Sequence, residues 1–232
     1  MCCTSVGVTV DDVADPRRPA WISAAIEGWA PGGADYYARR LGPGQTDRPT
    51  IMASWGGPTP DLQSMGGSVL PGLIVTRFEG IGNAERSDES AAYIQWFIGH
   101  ESAHFWLGHT VRYERSRDSW ITEGGADLMA ALATKALVPT YDLGAELQRE
   151  VDECAGLAHQ PVSEAGARGQ HKAYYACGAV FALVERGDGV PAFAAQFVQN
   201  QIVIGAVRIA NSTANFFAFF VDGINRIMKI LL

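Results

Sequence analysis

The chain has 232 residues, 47% hydrophobic and 19% charged, enough to bury a substantial core in one large domain or two closely packed lobes. A net charge of −7 and a pI near 5.2 leave no basic face for a phosphate backbone, which excludes nucleic acid from the expected partners. Arg208, Asp222, Arg226 and Lys229 interrupt the apolar C-terminal part, and no membrane span is expected.

In chain order, residues 6–10 read as a short β-rich start. Over 19–41, Trp21, Ala25, Ile26 and Trp29 fall at helical spacing, with a break expected at Pro31-Gly32-Gly33 and a second piece through Tyr36, Tyr37 and Leu41. Residues 50–55 read as a strand, and 69–78 as a second β candidate whose Pro71 favours a sheet edge. Ser87, Asp88 and Glu89 form the N-cap and acidic first turn of a helix expected to run through Tyr93, Ile94, Phe97 and Ile98 to His109. That helix is apolar nearly all round, which predicts burial.

Further helices are expected over about 121–136, closed by Pro139, over 144–157 and over 171–185. Pro191 is placed to start another, 202–207 is ambiguous between strand and helix, and Asn211-Ser212-Thr213 caps a final amphipathic helix. Strands first and helices afterwards predict an α+β fold, with a mixed lobe over 1–110 and a helical lobe over 111–232. Cys2 and Cys3 are adjacent and Cys154 and Cys177 stand alone, too few and too irregular for a disulfide framework. No basic stretch followed by an apolar one opens the chain; a cytoplasmic location is the default expectation, with secretion if a leader precedes residue 1.

His100-Glu101-Ser102-Ala103-His104 carries the chemistry. Residues four apart share a helix face, so His100 and His104 can present both imidazoles to one ion. Two imidazoles hold zinc poorly, and Glu123, with eighteen residues between it and His104, supplies a third ligand while leaving a position for water. Glu101 beside the histidines can then act as general base. One Zn2+ per chain is expected. Asp127, one helical turn beyond Glu123, is a candidate to accept a hydrogen bond from a liganding imidazole, against the alternative of a solvated helix residue. Tyr174 or Tyr175 could donate a hydroxyl to the oxyanion, against the alternative of core packing. His109 does not fit the metzincin spacing, and His159 and His171 lie at no ligand-like spacing.

These residues resemble the gluzincin metallopeptidases related to aminopeptidase N and leukotriene A4 hydrolase. His100-Glu101-Ser102-Ala103-His104-Phe105-Trp106-Leu107-Gly108 is similar to the family's HELAHQWFG run, and Trp120-Ile121-Thr122-Glu123-Gly124 to its WLNEG. Tyr175-Ala176-Cys177-Gly178-Ala179 is similar to its Y-x-K-G-A segment, which singles out Tyr175 as oxyanion stabiliser. Gly66, Gly67, Ser68 and Val69, running into Leu70-Pro71-Gly72-Leu73-Ile74, are similar to the substrate-binding edge strand GAMEN-PGLI. The resemblance implies a single thermolysin-like metallopeptidase domain acting on peptides or proteins. Val69 stands where aminopeptidases carry the glutamate that binds a free α-amine, so an altered exopeptidase or a peptidase of internal bonds is expected. Cys177 replaces the family's lysine. Ala130 replaces an acidic residue that often orients a zinc histidine, while Asp127 matches thermolysin's orienting aspartate. The alternative is a zinc-binding but catalytically weak peptide-binding or scaffold module, and hydrolysis of a non-peptide bond such as an epoxide uses the same constellation.

Overall fold

The computed structural model describes residues 10–44, 46, 48–108 and 115–185. They form an α+β fold in two compact units, Met1–Thr110 with Met129–Tyr141, and Val111–Leu128 with the chain from Asp142. The expected helix from Pro191, the 202–207 segment and the helix capped by Asn211 lie outside the described residues.

The first unit holds a four-stranded sheet of order β1-β2-β4-β3: β1 (Asp11–Ala14), β2 (Thr50–Trp55), β3 (Ser64–Leu70) and β4 (Leu73–Glu79). β1 and β2 are parallel, β2 and β4 are parallel, and β3 runs antiparallel along β4 as the edge strand. The period-2 alternation of β2 and β4 buries Ile51, Ala53, Ile74, Thr76 and Phe78 on one face and turns Met52, Val75 and Arg77 outward. The single strand expected over 69–78 is a hairpin instead. Pro71 and Gly72, the latter at φ +72°, form its turn, so the residues before Pro71 make the edge and those after Gly72 make an inner strand.

α1 (Ala20–Leu41) is continuous, contrary to the break expected at Pro31. Proline removes one amide donor, but Ile22, Ile26, Trp29 and Tyr37 line one buried face across both halves and hold the helix together. Gly33 serves that packing, since a Cβ there would stand 2.2 Å from the Trp29 ring. α2 (Asp88–Ala103) begins as expected, with Ser87 and Ser90 in a reciprocal capping box. It ends at Ala103 and not at His109, because residues 104–106 turn and Gly108 takes φ +100°. His109 lies outside the described residues. Gly99 lets α2 approach α1, where the buried Tyr37 hydroxyl donates to the Gly99 carbonyl at 3.0 Å.

α3 (Trp120–Leu137) gives its first part to the second unit and its last part to the first. The second unit adds α4 (Leu143–Leu157), capped by the Asp142 carboxylate on the Ala145 N–H, and α5 (Lys172–Glu185). Cys154 on α4 and Cys177 on α5 form a disulfide, Cα atoms 4.7 Å apart, inside a core with Val151, Ala176 and Val180. The reading that these cysteines stand alone is corrected here: a separation of 23 residues says nothing until two helices pack with both sulfurs on their inner faces. No helix among the described residues is long and apolar enough to cross a membrane.

Candidate metal centre

α2 places His100 in its last turn and His104 at its C-cap, with Glu101 between them; His100 and Glu101 are buried. The C-terminal end of a helix carries partial negative charge, which favours a cation there. α3 places Glu123 in its first turn, where the partial positive charge of a helix N-terminus favours a carboxylate. The result is a group that could hold a metal ion: His100, His104 and Glu123 each offer one ligand atom, all within 4.8 Å of one another.

The hydrogen bonds of His104 bear on whether an ion fits. Its Nδ1 lies 3.1 Å from the Leu107 carbonyl oxygen, which can only accept, so that nitrogen carries the proton. Nε2 of His104 is then a bare lone pair in the neutral ring, 3.1 Å from Nε2 of His100. Two nitrogens on one tetrahedral zinc, with bonds of about 2.0–2.1 Å, stand roughly 3.3 Å apart, so the two imidazoles fit such an ion.

Leu107 was not among the residues singled out from sequence. Its carbonyl acts because the chain leaves the helix after Ala103 and folds back, a turn for which Gly108 is the one sequence signal. Trp96 was also not singled out: its ring centroid lies 6.0 Å from that of His100 and is stacked on Tyr93 at 5.5 Å. Apolar walls of this kind limit water around a bound ion.

Asp127 is buried on α3 one turn beyond Glu123, so a solvated helix residue is excluded. Its charge is felt by Arg149 and Glu150 on α4. Glu150 is held up to about 8, first by burial and then by Asp127, with Arg149 opposing at 2.7 Å. The Tyr-Tyr pair divides. The Tyr174 ring lies in a core with Trp120, Ala165 and Ala173, and its hydroxyl accepts from the Gly166 N–H at 3.0 Å, whereas Tyr175 is 39% exposed on α5.

On the edge strand, Met65, Gly67 and Val69 pair with Phe78, Thr76 and Ile74 and so share the sheet's inner face; Gly66 and Ser68 point the other way. Gly67 meets Glu101 directly, for a Cβ on Gly67 would lie 2.4 Å from the Glu101 Oε1. Ala130 is fully buried on α3, its Cα 3.3 Å from where a Cβ on Gly99 would stand.

No family model matches the chain, and no curated protein matches it. Among solved structures, the fold is similar to that of an aminopeptidase N family protein from Idiomarina loihiensis, with a TM-score of 0.53 and 16% identity over 75% of this chain. This chain covers 34% of that protein's length. The likeness is one of fold.

Proposed function

We propose that the chain is a zinc-dependent peptidase with a single thermolysin-like catalytic domain. The observation that carries this reading is the grouping of His100, His104 and Glu123, with ligand atoms within 4.8 Å of one another, and with Glu101 next to His100 on α2. Zinc, when bound by those three residues, would supply Lewis acidity and a nucleophilic water at neutral pH.

The remaining steps belong to the chain's own residues. Leu107 holds His104 in the tautomer that exposes Nε2. Glu101 takes the proton of the attacking water and passes it to the leaving amine. Tyr175, accessible on α5, donates its hydroxyl to the developing oxyanion. Asp127 steadies the ligand helix from within the fold, the role proposed for it being to accept from a liganding imidazole. Gly66, Gly67, Ser68 and Val69 line the peptide, and Val69 brings no charge to an α-amine. The proposed substrates are therefore peptides without a required free N-terminus.

The test is a mixed peptide pool, half of it N-acetylated, incubated with zinc-loaded protein and read by mass spectrometry. The reading predicts new termini in acetylated and free peptides alike, absent with chelator and absent in Glu101→Gln. No cleavage by zinc-loaded protein would instead favour a zinc-binding scaffold.

A further inference from the structure

We propose that the Cys154–Cys177 bond is a positioning element for Tyr175: tied to α4, α5 keeps the rotation that turns the Tyr175 side chain out of the core. The proposal rests on the peptidase reading above, in which Tyr175 donates to the oxyanion. Cys177 follows Tyr175 by two residues on α5, and side chains at that spacing on a helix point roughly 200° apart. The structure has that opposition, with Cys177 fully buried in the core it shares with α4 and Tyr175 39% exposed. Whatever fixes the direction of Cys177 therefore fixes the direction of Tyr175.

Noncovalent packing holds that rotation weakly. Ala173, Ala176, Gly178 and Ala179, the inward residues around Cys177, are small and offer shallow ridges to interlock, leaving Val180 as the larger side chain of α5 in the cluster with Val151. The close approach of Gly178 to α3 admits a small turn, since glycine has no Cβ to catch. The Lys172–Glu153 ion pair joins the same two helices at 3.5 Å, but its lysine is 83% exposed and it contributes little. The covalent link ties the last turn of α4 to the middle of α5. At a helix's outer radius of about 5–6 Å, a turn of about 10° carries a side-chain atom about 1 Å. A misplacement of that size costs up to about 100-fold in rate.

The experiment compares three zinc-loaded full chains: the wild type, Cys154→Ala/Cys177→Ala, and Val151→Ala, which thins the same core but keeps the bond. Each is made with and without Tyr175→Phe. Loss of the bond should lower kcat about 10- to 100-fold with KM within about twofold, because Tyr175 acts only in the transition state. Zinc content should not change. Val151→Ala should keep kcat within about twofold, and in the Tyr175→Phe background loss of the bond should lower kcat no further. An unchanged kcat without the bond, equal falls in both backgrounds, or an equal fall in Val151→Ala would each overturn the proposal. Cys154→Ala/Cys177→Val, which restores core volume, takes the place of the double alanine variant if that one does not fold.

A second measurement needs no turnover. In protein labelled with fluorotyrosine, the fluorine resonance of Tyr175, assigned by its loss in Tyr175→Phe, should shift or broaden when the bond is removed, while that of Tyr37 in the first unit stays in place. A Tyr175 resonance that does not change would overturn the positioning. A wild type that cleaves nothing while that resonance moves would sink the peptidase reading alone.

Discussion

Gly124 on α3 and Gly178 on α5 meet with no side chain between them: a Cβ on Gly178 would lie 2.1 Å from the Trp120 carbonyl oxygen and 2.9 Å from the Gly124 Cα. The two helices cross backbone to backbone beside Glu123, and Tyr175 lies one turn before Gly178 on α5. A methyl group at either glycine would meet backbone, which cannot swing aside. Gly178→Ala is expected to destabilise the protein by about 1–3 kcal/mol or more. Gly28→Ala, on an exposed part of α1 where a Cβ meets nothing within 4 Å, should stabilise by about 0.5–1 kcal/mol. Urea denaturation of both variants checks the pair, and like signs would refute the crossing.

The Cys154–Cys177 disulfide closes a loop across α4 and α5. In the chain-entropy account a loop of this length constrains the unfolded state by about 3 kcal/mol. The double variant Cys154→Ala/Cys177→Ala should therefore unfold at markedly lower denaturant, and reduction of the wild type under denaturing conditions should reproduce the loss on refolding. A midpoint that does not move would remove the disulfide from the account.

Glu150 gives a pH signature. Burial and Asp127 hold its carboxyl at about 8 in the folded protein, against an ordinary value of 4.5. The folded state thus binds a proton that the unfolded state has released, and stability falls as pH rises from about 4.5 to about 8. Its contribution over that window is on the order of a few kcal/mol. Glu150→Gln, which keeps a neutral side chain at every pH, should lose that slope and be more stable than the wild type near pH 8. Matching slopes in the two proteins, measured by urea denaturation across the window, would contradict it.

Added zinc should raise the thermal midpoint, since a ligand at about 100 times its Kd contributes about 2.7 kcal/mol to the folded state. Chelator should reverse the shift, and His104→Ala should abolish it. A zinc response that survives His104→Ala would place the ion elsewhere.

Much of this site was legible in the sequence because ligand spacing on a helix is a local property. His100, Glu101 and His104 need only one turn of α2, and Ser87 with the acids after it marks where that helix starts. Where it stops was not legible: the turn at 104–106 follows from tertiary packing and Gly108, and with it came the Leu107 carbonyl that fixes the His104 tautomer. Pro31 misled for the same reason, since the buried face that carries α1 through it is assembled from distant parts of the chain. The 69–78 segment was read as β correctly, but Pro71 and Gly72 form a turn between two strands. Contacts between remote residues, Cys154 with Cys177 and Gly67 with Glu101, left no pattern that a single sequence could display.

The most direct test of the central claim is the zinc content of purified protein by elemental mass spectrometry, for wild type, Glu101→Gln and Glu123→Ala together. The account predicts about one zinc per chain in the wild type and in Glu101→Gln, with zinc lost or loosened in Glu123→Ala. A wild type that is free of metal and refuses added zinc would contradict it.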